Sequence, residues 1–329
     1  ADYGTVQYFG VSTFTTGIFR TWFGLDNAAA AAQLSSLLLG FVLVLIAVES
    51  GSEAAVAALR WTVGQGAHRD VQITALGAYH VPAIMAMFTA KRGFGVDELG
   101  LAATAGHDVD VAIEAAIGSA GAAVPVQPLV IEGQAQHVLV DASGDADFLA
   151  VGRTGAGDLR HHLLGSVSRY CVTHADAPVV VVPADASPGA VSSIVVGFDG
   201  SDHAAAALRW ALDFSGDAAG DSAAVRAVAA IEVAPWVDEE LSRDRFADQI
   251  EGEQQRITDA LDVVDPEGRA ERSIVLQGPR QALAEAQSGA GLVVVGTRGH
   301  GLIAAGLLGS VSTWLLHDST VPVVVVPNR

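Results

Sequence analysis

The chain has 329 residues, half of them hydrophobic, which is enough to bury two ordinary cores and excludes a disordered chain. Its 37 acidic residues against 18 basic ones give a net charge of −19, and Lys91 is the single lysine, so no basic surface exists to neutralise a run of phosphates and nucleic acid is excluded as a partner. One cysteine, Cys171, excludes an internal disulfide framework and a Cys-rich metal site, and fits a reducing, cytoplasmic compartment.

In chain order, the first notable stretch is uncharged from Asn27 to Val48. Residues 28–48, "AAAAAQLSSLLLGFVLVLIAV", reach the ~20 apolar residues that span a bilayer. They carry neither the basic opening nor the small-residue cleavage site of a secretory signal. The closing part, "LGFVLVLIAV", also reads as a strand covered on both faces of a parallel sheet, the assignment favoured here over a membrane helix. Residues 1–40 then stand as a hydrophobic appendage, and any membrane association runs through residues 1–48.

From there the chain spells one unit twice. "AALRW" occurs at 57–61 and at 206–210, each time after an apolar run and a Gly-Ser turn, which predicts strand, turn and helix. "DFLAVG" at 147–152 and "GLVVVG" at 291–296 are apolar runs that enter a glycine-rich loop, as a buried parallel strand does. "APVVVVP" at 177–183 and "VPVVVVP" at 321–327 close the copies, and proline on both sides of four valines predicts a short edge strand. In the second copy strands are expected at 194–198, 225–231, 270–276, 292–295 and 323–326, with the clearest helical periodicity at 245–264.

Such alternation predicts a doubly wound α/β sheet. The repeat is far longer than a solenoid period, so each copy is a domain: 41–184 and 193–329, joined by a Pro-, Ala- and Ser-rich linker at 185–192. A valine-rich edge left open invites aggregation, so the runs at 179–182 and 323–326 are expected to pair or to pack side by side about a pseudo-two-fold axis.

The loop after the fourth strand reads "GTRGHGLIAAGLLGS" at 296–310 and "GRTGAGDLRHHLLGS" at 152–166. Both follow Gly-x2-Gly-x9-Gly-Ser: Gly296, Gly299, Gly309 and Ser310 in one copy, Gly152, Gly155, Gly165 and Ser166 in the other. Glycine offers left-handed backbone angles and lets an anion approach the chain. The helix that follows presents free N–H groups, with a serine hydroxyl beside them. The dipole alone contributes only ~0.3–1 kcal/mol, so several N–H bonds must share the task. Ligands of open parallel sheets collect at the carboxyl ends of strands. There "GFDGSDH" at 197–203 also emerges, and Asp199 either accepts from a ribose or base amine or closes an Asx turn.

With "VS" after each Gly-Ser and "PVVVVP" at each end, residues 44–183 and 193–327 resemble a tandem universal stress protein. The resemblance implies two Rossmann-like domains, each a five-stranded, mostly parallel sheet with helices on both faces. For members with this glycine pattern it implies bound ATP, accompanied by Mg2+. Asp199 is then expected at the adenine with Ile231 lining it. Gly296, Gly299, Gly309, Ser310, Val311 and Ser312 are expected around phosphates and ribose, and Arg298 beside the anion. Gly152, Gly155, Gly165, Ser166, Val167 and Ser168 hold the same places in the first copy. Aligning the "LRW" triplets sets Ser50 opposite Asp199, with Glu49 one residue early and so on the other face of a strand. Residues 1 to about 48, with "YFGVSTFTTGIFRTWFGLDNAAAAAQLSSLLLGFVLVLIA" among them, are similar to a segment of the permease subunit of ferric-iron ABC transporters. Such a segment running to Val48 would have replaced the first strand and its aspartate together.

Other chemistry finds less support. Lys91 in "TAKRGFG" lacks the Gly-Lys-Ser/Thr of a Walker loop. The adjacent His161 and His162 diverge on a helix, so no metal site is expected. No nucleophile stands beside a base, so any hydrolysis should be slow. The expectation is an ATP-binding regulatory protein of the stress response, binding adenine nucleotide and compatible with a homodimer. The alternatives are a slow ATPase or phosphotransferase, and a membrane-tethered nucleotide sensor.

Overall fold

The computed structural model describes residues 53–67, 71–81, 100–120, 124–153, 164–216, 222–232, 239–299 and 308–328. The first copy contributes α1 (Glu53–Gly66), β1 (Ile73–Tyr79), α2 (Leu101–Ala120), β2 (Val126–Glu132), α3 (Ala135–Ser143), β3 (Leu149–Gly152), α4 (Ser166–His174) and β4 (Val179–Val182). The second contributes β5 (Ser193–Gly197), α5 (Asp202–Gly216), β6 (Ala224–Ala230), α6 (Glu239–Val264), β7 (Glu271–Val275), α7 (Pro279–Ala286), β8 (Leu292–Gly296), α8 (Ser310–Asp318) and β9 (Val323–Val326).

Nine strands form two sheets among the described residues: a seven-stranded sheet in the order β3-β4-β9-β8-β5-β6-β7, and a two-stranded sheet, β1-β2. Every neighbouring pair is parallel except β4 with β9. The α/β class and the tandem stand, and the second copy's five strands lie side by side and parallel, but they are not a sheet of their own: among the described residues they share one seven-stranded mixed sheet with β3 and β4, beside the two-stranded β1-β2. Two physical causes separate this arrangement from the expected five-stranded, mostly parallel sheet per copy. Four valines in a row cannot be left as an open edge, so β4 and β9 join the copies into one sheet. In the first copy the position equivalent to β5 falls outside the described residues, so β1-β2 and β3-β4 have no described strand between them. The assignment of "LGFVLVLIAV" as strand one lies outside them too.

The join is symmetric. Val179 pairs with Val325, Val180 with Val324 and Val181 with Val323. The spacing that carries Gly152 onto Gly296 also carries Val180 onto Val324, so the antiparallel register is centred on equivalent residues, as a two-fold axis demands. β4 and β9 are therefore interior strands, which corrects the edge-strand expectation. Pro178, Pro183, Pro322 and Pro327 sit just outside them, where no ladder N–H is missed.

Strand alternation sends the valines to two layers. Val180, Val182, Ile194 and Val324 face one core with Trp61 of α1, Leu208 of α5 and Ile257 of α6. Val179, Val181, Val293 and Val325 face the other with Cys171 of α4, Leu283 of α7 and Leu315 of α8. Each such side chain contributes roughly 1.5–3 kcal/mol by leaving water. Both layers draw on both copies, so the copies share their cores. Aromatic rings extend the contact: Phe148 of the first copy meets Trp61 edge-on at 6.2 Å and Phe214 of the second at 6.3 Å. The linker is docked against α1. Gln65, 3% exposed, donates Nε2–H to Gly189 O (2.9 Å) and accepts from Val191 N–H at Oε1 (3.3 Å). A Cβ at Gly64 would land on the Pro188 carbonyl.

Candidate functional site

β5 and β8 are parallel neighbours, so the turn after one and the loop after the other leave the same rim of the sheet. Phe198 continues β5, buried, with its N–H donated to Val228 O at 2.9 Å. Asp199 follows. Its Oδ1 accepts from Ser201 N–H at 2.9 Å, closing the Asx turn that is one of its two readings, and Gly200 beside it takes φ +80°, a left-handed angle that favours glycine. Ser201 Oγ accepts from Ala204 N–H at 3.2 Å and so caps α5. The other carboxylate oxygen, Oδ2, lies where a Cβ on Gly299 would fall. Asp199 and Gly299 are thus brought together across the rim.

Among the described residues no motif glycine takes a left-handed angle, which corrects the expectation drawn from glycine's backbone freedom there, and Gly152, Gly296 and Gly299 work instead by absence of a side chain. Among the described residues the positive-φ glycines are Gly100, Gly133, Gly200, Gly268 and Gly289, none of them in the motif. A Cβ at Gly296 would stand 2.6 Å from the His203 carbonyl oxygen, and one at Gly152 would strike the carbonyl of Ala54. His203 and Ala54 are equivalent second residues of α5 and α1. In both copies, then, the strand-ending glycine seats the first turn of a helix on the strand.

Gly309 is the N-cap of α8, with φ −63° and ψ 155°, and its N–H donates to Thr297 O at 2.9 Å, closing the loop at its base. Gly165 has the matching angles, −60° and 156°, and donates to Arg153 O at 2.8 Å. Ser310, Val311 and Ser312 form the first turn of α8, whose N–H groups have no intrahelical acceptor, and its N-cap, Gly309, brings no side chain to cap them. Ser310 is exposed, and Arg280 of α7 donates Nη2–H to its carbonyl at 3.3 Å. Val311 and Val167 pack against the core. Ser312 is buried and donates its hydroxyl to Gly296 O (2.8 Å), as Ser168 does to Gly152 O (2.6 Å), so these two hydroxyls anchor helix to strand. Ser166 is exposed at the equivalent of Ser310, and Gly155 lies outside the described residues. Ile231 is buried just past β6, in the same core as Phe198, with its N–H on Val275 O at 2.9 Å.

Two further residues, Arg256 and His203, enter that no spacing in the sequence singles out, beside the expected Arg298. Arg256 of α6 donates Nη2–H to the Asp199 carbonyl at 2.9 Å while its ion pair with Glu253, at 2.6 Å, holds its pKa above the ordinary value. His203 places Nδ1 2.8 Å from Thr297 Oγ1. Burial, and then the neighbouring Arg298, hold His203 below the ordinary imidazole value against the pull of Asp199 and Asp202. Arg298 itself keeps a buried Nε–H without a hydrogen-bond partner among the described residues, a donor left over at the mouth of the loop. The first copy differs at these places: Arg153 stands for Thr297 and Ala54 for His203, and Arg153 donates Nη1–H to Ser319 O of the second copy at 2.5 Å.

The model of the universal stress protein family matches residues 42–183 and 191–327. The chain belongs to the universal stress protein family. It is 29% identical to a universal stress protein of Mycolicibacterium smegmatis, over 87% of this chain and 97% of that relative. It is 32% identical to the universal stress protein Rv2005c of Mycobacterium tuberculosis over 57% of this chain, spanning 64% of that relative's length. A universal stress protein structure from Archaeoglobus fulgidus is similar in fold, at TM-score 0.53 and 20% identity, over 83% of this chain and 94% of that one. A general role in the stress response comes with the family.

The family match also corrects the permease-fragment resemblance. It opens at residue 42, inside the apolar run, so the run to Val48 belongs to the first universal stress protein unit. What precedes it, residues 28–41, is shorter than the ~20 apolar residues a bilayer requires. No helix among the described residues is long and apolar enough to cross a membrane. The expected membrane association through residues 1–48 is corrected with it.

Proposed function

We propose that the second universal stress protein unit binds ATP at the rim between β5 and β8, in the cytoplasm, and that occupancy regulates a partner by stabilising one state of the chain. The observation that carries this reading is the meeting of the Asp199 carboxylate with Gly299 beside the first turn of α8, whose N-cap is a glycine. Asp199 accepts from the nucleoside, the N–H groups of Ser310, Val311 and Ser312 donate to phosphate oxygens, and Arg298 supplies a cation whose buried Nε–H has no acceptor among the described residues. No lysine is required, because an anion at a helix start is held chiefly by backbone donors. Mg2+ arrives with the phosphates and keeps most of its waters.

Binding to the folded state alone stabilises it by about 2.7 kcal/mol at a hundredfold excess over Kd. Isothermal titration of the full chain with Mg·ATP tests the reading. Saturable binding is expected, and Asp199→Ala should weaken it roughly tenfold or more, the loss of a charge-assisted hydrogen bond of about 1.5–3 kcal/mol. Absence of binding at millimolar Mg·ATP would reject it. Phosphate release, followed in the same samples, tests slow hydrolysis.

A further inference from the structure

We propose that His203 is a positioning residue of the second unit's site: through Thr297 it fixes the loop bearing Arg298 and Gly299, and it makes anion binding there depend on pH. The proposal deepens the nucleotide reading and rests on it for the identity of the anion.

Thr297 is the residue that joins β8 to the loop, and each of its polar groups is bound by a different element. Its N–H donates to Val326 O of β9 (3.2 Å), its carbonyl accepts from Gly309 N–H at the start of α8 (2.9 Å), and its hydroxyl meets His203 Nδ1 of α5 (2.8 Å). The third link exists because Gly296 has no side chain. The first turn of α5 rests on that glycine, which brings the imidazole over the next residue.

The first unit separates what the fold needs from what His203 adds. There Arg153 N–H donates to Val182 O (2.9 Å) and Arg153 O accepts from Gly165 N–H (2.8 Å), so the two backbone links recur without the third. Ala54 replaces the imidazole, and the Arg153 side chain turns across the pseudo-two-fold axis to Ser319 O. The loop therefore closes without a His–Thr bond, and that bond belongs to the unit that carries Asp199.

The charges facing the ring are Arg298 from the loop, Asp199 from the β5–α5 turn and Asp202 from α5. Arg256 of α6, paired with Glu253, stands on the carbonyl side of Asp199. An anion held beside Arg298 offsets the repulsion between that guanidinium and an imidazolium, so the bound state takes up a proton more readily. Linkage then requires affinity to rise as pH falls through the titration of His203.

The test uses the full chain and two readouts. Amide hydrogen exchange of Thr297 and Gly309 without nucleotide should quicken in His203→Ala and in Thr297→Val. It should return toward wild type in His203→Asn, whose side-chain amide can still meet the hydroxyl. Mg·ATP affinity in wild type should rise on the order of tenfold between pH 8 and pH 5.5, the equivalent of one pKa unit. That rise should vanish in His203→Asn. Unchanged exchange in His203→Ala, or a pH dependence retained in His203→Asn, overturns the proposal. Faster exchange in His203→Ala with no ATP bound by wild type would instead support the positioning role and reject ATP as the anion.

Discussion

Two glycines of one motif have different duties, and substitution separates them. A Cβ at Gly296 meets the backbone carbonyl of His203, which moves only if α5 moves, whereas a Cβ at Gly309 meets atoms at ordinary distances of 3.6–3.7 Å with the backbone already at φ −63°. Gly296→Ala should therefore cost about 1–3 kcal/mol by overpacking, and Gly309→Ala no more than ~0.5 kcal/mol, measured by urea unfolding. Equal losses would show that the strand end yields. The spacing of these glycines was legible in the sequence, but their cause was not, because the partner of Gly296 lies across the sheet at a residue far away in the chain. His203 was illegible for the same reason. Its pH effect on stability follows from its direction of shift. An imidazole held below 6.5 in the fold takes a proton on unfolding, so the stability it contributes is complete above about that pH and lost as pH falls through the folded value. His203→Gln should flatten the fall in unfolding free energy from pH 7 to pH 5; an unchanged slope would assign that fall to other groups.

At the level of elements, the strands that close the units illustrate how far a local pattern reaches. Proline on either side of four valines reads as an edge, and the need to cover that edge reads as pairing; the pairing is present and the edge is not. Local chemistry fixed the strand's length, while its place in the sheet depended on a second copy of itself. Val180 is fully buried at the centre of the join. Val180→Asp would set a carboxylate between two valine strands with no partner, at an effective cost of several kcal/mol. Because both core layers draw on both units, this loss should appear as one cooperative transition at lower denaturant, followed by circular dichroism and tryptophan fluorescence together. Two separate transitions would show that the units fold independently of the join.

For the whole molecule, the pseudo-two-fold axis duplicates the framework of the site without duplicating its side chains. Both units have the strand-end glycine, the N-cap glycine at the helix start and the serine that anchors that helix. Only the second has Asp199, His203 and Thr297; the first has Ser50, Ala54 and Arg153 at the corresponding positions, with Arg153 committed across the axis. The first unit has no carboxylate at the place of Asp199 to accept from the nucleoside, so titration with Mg·ATP should give one strong equivalent per chain. Gly299→Ala locates it. The added Cβ would fall on the Asp199 carboxylate, so the strong equivalent should disappear if it sits in the second unit. Were that equivalent retained at full affinity, the nucleotide would have to lie in the first unit. Asp199 would then be explained by its Asx turn alone, and the asymmetry of the two units would have been read in the wrong direction.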